Sequence, residues 1–84
     1  MEHLKLNLSG IENKQQLHSF LAEKLYFPQW YGHNLDALMD CLTDLADTHV
    51  TLTGWRETAF PAEGFWETFV DAARENPQLS VTFA

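Results

Sequence analysis

Cysteine is nearly absent: Cys41 stands alone, with no partner for an intramolecular disulfide, which excludes a small fold stapled by bridges. Basic residues are also scarce. Five lysines and arginines face twelve aspartates and glutamates, and the net charge of −7 repels phosphate backbones and anionic headgroups, so direct binding of nucleic acid or membrane is not expected. No run approaches the roughly 20 apolar residues that span a bilayer. The opening Met1-Glu2-His3-Leu4-Lys5-Leu6 lacks the apolar stretch of a secretory leader, and a cytoplasmic protein is expected. The four glycines form no phosphate-cradling loop, no motif pairs a serine or cysteine nucleophile with a histidine, and His3, His18, His33 and His49 make no metal-binding set with the single cysteine. No cofactor is expected, and an enzyme is not.

What the chain does have is enough apolar material for one small core. Of its 84 residues, 45% are hydrophobic and 13% aromatic, which argues against disorder despite the charge. A chain this short buries only about 60% of the surface its unfolded form exposes, so residues 1–84 are expected to form a single two-layer domain. The charge is unevenly spread. Before Asp36, Lys5, Lys14 and Lys24 balance Glu2, Glu12 and Glu23; from Asp36 onward nine acids face only Arg56 and Arg74. A face of that sign calls for a basic partner.

Leu4, Leu6 and Leu8, then Val50 and Leu52, then Leu79, Val81 and Phe83 alternate with polar residues in the manner of half-buried strands. Between the first two, Leu17, Phe20, Leu21 and Leu25 form a helical stripe capped at Asn13, and a leucine-rich helix follows Gly32. Gly54 to Gly64 reads as a loop around Pro61. Phe65, Trp66, Phe69, Val70 and Ala73 then form another amphipathic helix, ended by Pro77. The order strand, helix, helix, strand, helix, strand suits parallel pairing, and right-handed crossovers put all helices on one side. The alternation fits a sheet covered on one face only. The fold class is therefore α/β: two layers, a three-stranded parallel sheet and helices on one face.

The leucine helix carries the strongest functional signal. At about 100° per residue, Leu35, Leu38, Leu42 and Leu45 share one arc while Asp36, Asp40 and Asp44 share the opposite one, with Met39 and Thr43 on the border. Like charges four apart cost a helix about 0.2–0.5 kcal/mol per pair. Only Asp36, in the first turn, gains from the helix dipole. Asn34 is placed to cap this helix, Gly32 to let the chain turn before it, and Trp30 and Tyr31 to sit on a loop near the acids. Cys41 has the setting of a small buried hydrophobe rather than of a nucleophile. In the last helix, Glu63, Glu67, Asp71 and Glu75 repeat the four-residue spacing; packed beside the first stripe they would merge with it, and an ordinary solvated face is the alternative. Asp36 and Asp40 also have a spacing that could hold Mg²⁺ or serve as an acid–base pair near His33, but that spacing is permissive rather than specific.

The run Phe27-Pro28-Gln29-Trp30-Tyr31-Gly32-His33-Asn34-Leu35-Asp36-Ala37-Leu38-Met39-Asp40-Cys41-Leu42-Thr43 resembles the central segment of the barstar family of ribonuclease inhibitors. The resemblance extends over nearly the whole chain. It implies a three-stranded parallel sheet with packed helices, and inhibition of a basic, barnase-type extracellular ribonuclease by a monomer in a one-to-one complex. By resemblance, Asp40 would enter the enzyme's phosphate-binding site, Asp36 would pair with an adjacent basic residue, and Trp30 and Tyr31 would cover the rim. Gly32 and Asn34 would supply close contacts, and Asp71 a further acidic one. Met39 stands where the family pattern has a tryptophan, Trp30 where it has a tyrosine, Asp71 where it has a glutamate and Asp44 where it has a glycine. These departures, with Thr43 beside them, lie on the implied binding face and point to a different partner or an altered affinity. The stretch from Glu57 to Gly64 is shorter than its counterpart, which implies the loss of a short helix there. An immunity or interaction protein of the same fold, binding a different basic toxin or protein, is the alternative.

Overall fold

Strand β1 (Glu2–Asn7), helices α1 (Lys14–Lys24) and α2 (Leu35–Thr43), strand β2 (Thr48–Thr53), a single 3-10 turn (Trp55–Glu57), helix α3 (Glu63–Glu75) and strand β3 (Leu79–Phe83) follow in that order in the computed structural model, which describes residues 1–84. The sheet is parallel throughout, in the order β1-β2-β3, with Leu4 opposite Val50 and Leu6 opposite Leu52 on one side and Val50 opposite Val81 on the other. The period of two sends Leu6, Leu8, Val50, Leu52 and Leu79 into the core and leaves His3, Lys5, Thr51 and Thr82 on the polar face. The α/β architecture expected from the strand and helix patterns is the one observed. No helix is long and apolar enough to cross a membrane.

Helices α1 and α2 begin as their sequences dictate. The Asn13 side chain accepts the Gln16 N–H at 2.9 Å, and the Asn34 side chain accepts the Ala37 N–H at 2.8 Å, each satisfying a donor that the helix itself leaves open. Leu17, Leu21, Leu38, Leu42 and Phe69 are fully buried and join the inner leucines of the sheet in one core. Helices α2 and α3 lie side by side. Buried Asn76, just past α3, donates from Nδ2 to the carbonyls of Leu42 (3.1 Å) and Leu45 (2.8 Å), while its Oδ1 accepts the Gln78 N–H at 3.0 Å. One side chain thus closes the C-terminal end of α2 and starts the approach to β3.

Three expectations are corrected. Leu35 is 38% exposed rather than in the apolar interior, because the first turn of α2 stands at the surface beside the start of α3. Its Cδ1 occupies the place a Cβ at Gly64 would need, 2.8 Å away, so this edge is shaped by a missing side chain. Glu63 and Gly64 belong to α3, and the preceding segment contains the 3-10 turn from Trp55 to Glu57. Finally, the chain reverses ahead of α2 through His33, at φ 50°, and not through Gly32, which has no left-handed φ. Gly32 serves close approach instead: a Cβ there would lie 3.0 Å from Asn34 Nδ2.

Replacing Asn76 with alanine takes the side-chain donor from the Leu45 carbonyl and one donor from the Leu42 carbonyl, which keeps the Leu45 N–H at 3.3 Å, and removes the acceptor of the Gln78 N–H. The Asn76→Ala variant is expected to lose about 1–3 kcal/mol of stability, read as a lower urea midpoint at an unchanged slope.

Candidate functional site

The segment between α1 and α2 is drawn onto the protein by a buried aromatic and histidine cluster. His18, on the inner stripe of α1, joins the Tyr31 hydroxyl through a 2.6 Å hydrogen bond, and both residues are buried. His18 also packs 4.7 Å from the Phe65 ring and 5.7 Å from that of His33; Tyr31 packs 5.0 Å from Phe27. The Gln15 amide donates to His33 Nδ1 at 2.7 Å. Burial, followed by the neighbouring His33, pushes the His18 pKa below its ordinary value of 6.5. Burial, followed by Cys41, pushes the Tyr31 hydroxyl well above its usual range. Both groups are therefore neutral near pH 7.

Successive residues of this loop point opposite ways. Tyr31 goes inward, and Trp30 stands 81% exposed beside Tyr26 at 79%. Tyr26 and His33, at the two ends of the loop, hold left-handed φ values of 58° and 50°, a conformation that L side chains adopt at a cost of about 1–3 kcal/mol each. Gly32 and Asn34 follow at the surface, and Asn34 Nδ2 donates to the Gly32 carbonyl at 3.2 Å.

Helix α2 presents Asp36, Asp40 and Asp44 to solvent along one line. None has a basic partner in the chain: the two ion pairs are Met1 amine–Asp47 at 3.1 Å and Arg74–Asp71 at 3.8 Å. Asp44 is the C-cap of α2, at the end where the dipole opposes a negative charge. The acids act on their neighbour. Burial first, and then Asp44 and Asp40, push the Cys41 thiol up, so it is not a thiolate nucleophile. Met39 is half-buried against the core, and the Thr43 hydroxyl donates to the Met39 and Asp40 carbonyls, 3.0 Å each. No group of three or more His, Cys, Asp or Glu converges closely enough to hold a metal ion.

Between the loop and α2 lies a groove of about 330 Å³, with Tyr26, Pro28, Trp30, Tyr31 and Gly32 on one wall and Ala37, Asp40, Cys41, Asp44 and Leu45 on the other. This groove gathers five of the residues singled out from the sequence. Asn34, Asp36, Met39 and Thr43 belong to the same loop and helix but lie outside it. Asp71 does not join them. With Glu67, Trp55, Trp66, Val70, Arg74 and Phe83 it lines a separate groove of about 450 Å³ that shares no residue with the first. Tyr26 and His18 escaped sequence analysis, although each left a signal. Tyr26 opens an aromatic-rich run, Tyr-Phe-Pro-Gln-Trp-Tyr, that exceeds what the core consumes; His18, Leu21 and Leu25 share the i, i+3, i+7 face of α1.

Fold and surface define a small two-layer α/β protein in which an unpaired acidic helix face stands beside exposed aromatics. The family model described as "Barstar (barnase inhibitor)" matches residues 1–82, and the chain belongs to the barstar family. It is also 56% identical over 52 residues to a protein of Bacillus subtilis (strain 168) named "Putative ribonuclease inhibitor YrdF". That match takes in 62% of this chain and 57% of the relative, so the chain spans little more than half of its length.

The buried His18 gives a pH dependence of defined sign. Its folded pKa lies below the unfolded value of about 6.5, so the unfolded chain binds the proton first and stability rises with pH. Its contribution is complete above about pH 6.5 and is lost as the pH falls through the folded pKa. Urea midpoints measured from pH 5 to 8 are expected to fall on the acid side, and less steeply in His18→Gln; equal slopes would rule the histidine out.

Proposed function

We propose that this protein is an inhibitor of a basic, barnase-type ribonuclease, and that the acidic face of α2 blocks the enzyme's active site by standing in for substrate phosphate. The observation that carries the proposal is the line of Asp36, Asp40 and Asp44, solvent-facing and without internal basic partners, next to the exposed Trp30. Membership of the barstar family and the likeness to a protein named as a ribonuclease inhibitor support it. Its role is binding, not catalysis.

Carboxylates held on a helix present charge with little ordering cost, and a preorganised acidic face accelerates encounter with a basic protein. Asp40, at the centre of the line and on the groove wall, is the principal anion. Asp36 takes an adjacent cation, and Trp30 supplies a rigid aromatic contact. Tyr31 acts from beneath, its hydroxyl held by His18, and sets the height of Trp30 and Gly32. Asn34, Met39 and Thr43 shape the rim, and Asp44 adds a carboxylate to the same groove. Asp71, with Arg74 beside it and a groove of its own, makes an outlying contact. Residues 1–84 share one core and work as one domain, monomeric in a one-to-one complex in the cytoplasm.

Asp44 and Met39 depart from the family pattern and favour the alternative partner, a different basic toxin met by an immunity protein of this fold. The same surface would be used.

The first test is inhibition of a barnase-type ribonuclease at low salt on a fluorogenic RNA. Wild type is expected to inhibit, and Asp40→Ala to weaken inhibition by at least about 2 kcal/mol, roughly thirtyfold, the usual threshold for a hot spot; complexes of this family are among the cases behind that threshold. A well-folded wild type without effect on the enzyme would sink the ribonuclease assignment. Stopped-flow association is expected to slow as ionic strength rises, and rates indifferent to salt would count against electrostatic steering.

A further inference from the structure

The open face of the sheet, away from α2, carries a pair of histidines that the inhibitory face does not use. His3 on β1 and His49 on β2 are direct partners in the parallel register, so their side chains leave the sheet side by side. Their ring centroids are 5.5 Å apart, with the ring planes at 35°. His3 is exposed and His49 half-buried, and no helix covers either. The backbone holds this end of β1 in place, because the Glu2 N–H donates to the Asp47 carbonyl at 2.8 Å.

Two imidazoles binding one ion at about 2.0–2.1 Å would stand about 5.2 Å apart, centroid to centroid, at a tetrahedral angle, and about 4.5 Å at a right angle. The observed 5.5 Å is within a few tenths of an ångström of the tetrahedral value. We propose that His3 and His49 form a two-imidazole site for a divalent zinc-class ion, with water completing the coordination. The register holds the two backbones side by side before the ion arrives, so only the side-chain rotamers, chiefly that of exposed His3, remain to be ordered on binding. Thr82 on β3 is hydrogen-bonded to His49 Nε2 at 3.0 Å and orients that ring from the far side of the pair. The protein's net charge of −7 draws cations towards it, and Lys5, the basic residue in the next row, is exposed and has no ion-pair partner that would hold it over the site. An ion bound here clips β1 to the central strand β2 and stabilises the folded chain. The site is independent of the inhibitory role.

Thermal unfolding of the full chain with zinc chloride tests the proposal. Zinc at ten times its dissociation constant is expected to raise the Tm of wild type by about 5–10 °C, and to leave His3→Gln and His49→Gln unmoved. In wild type, the ring-proton resonances of His3 and His49 are expected to shift on zinc titration, while those of His18 and His33 stay in place. A wild-type Tm indifferent to millimolar zinc would overturn the site. So would a shift that survives in both histidine variants, or one lost only in Cys41→Ser.

Discussion

The hydrogen bond between His18 and Tyr31 is the constraint on which the presentation of the acidic face depends. It joins α1 to the loop ahead of α2 inside a nest of rings, with Phe65 of α3 on the other side of the histidine. Gln29 and Trp30 occupy a turn closed by the Tyr31 N–H donating to the Pro28 carbonyl at 3.0 Å, so Tyr31 is drawn inward while Trp30 stands outward at the turn. The loop's ends are held in left-handed conformations at Tyr26 and His33, which an isolated peptide would relax. Packing and hydrogen bonding hold that geometry in place. The same packing fixes the backbone on either side of the exposed Trp30.

Helix α2 shows a similar opposition between local cost and global support. Nine residues is shorter than the roughly 12–15 at which isolated helices become marginally stable, and its exposed line repels itself. Burial of Leu38 and Leu42, the Asn34 cap at one end and the two Asn76 bonds at the other outweigh those costs. The helix is therefore made stable by its inner face and its ends, which leaves the outer face free to carry uncompensated charge. A surface selected for stability alone would place a lysine four residues from an aspartate; α2 contains none.

The sheet divides the molecule into two chemically different sides. One side is leucine and valine beneath the helices; the other is histidine, lysine and threonine in open rows. Period-two alternation produces both from the same strands, so the open side can carry a function without disturbing the side that supports α2. The parallel register decides which polar residues become neighbours, and it pairs residues 46 positions apart in the chain, His3 and His49.

Much of this was legible in the sequence because local periodicity encodes local structure. The caps at Asn13 and Asn34, the inward leucines of three strands and the outward line Asp36, Asp40, Asp44 need only the spacing of residues along one element. The sequence by itself determined those elements, their faces and the sign of the exposed charge, and its resemblance to a family anticipated their assembly. Only the tertiary structure decided that Tyr31 turns inward onto His18, that Leu35 sits at a surface edge, and that His33 rather than Gly32 takes the left-handed turn. Only packing separated Asp71 from the groove of Asp40, because the rotation of α3 against α2 depends on side chains of both helices at once. A residue's face follows from its own element, whereas its neighbours across the core follow from how several elements fill one volume.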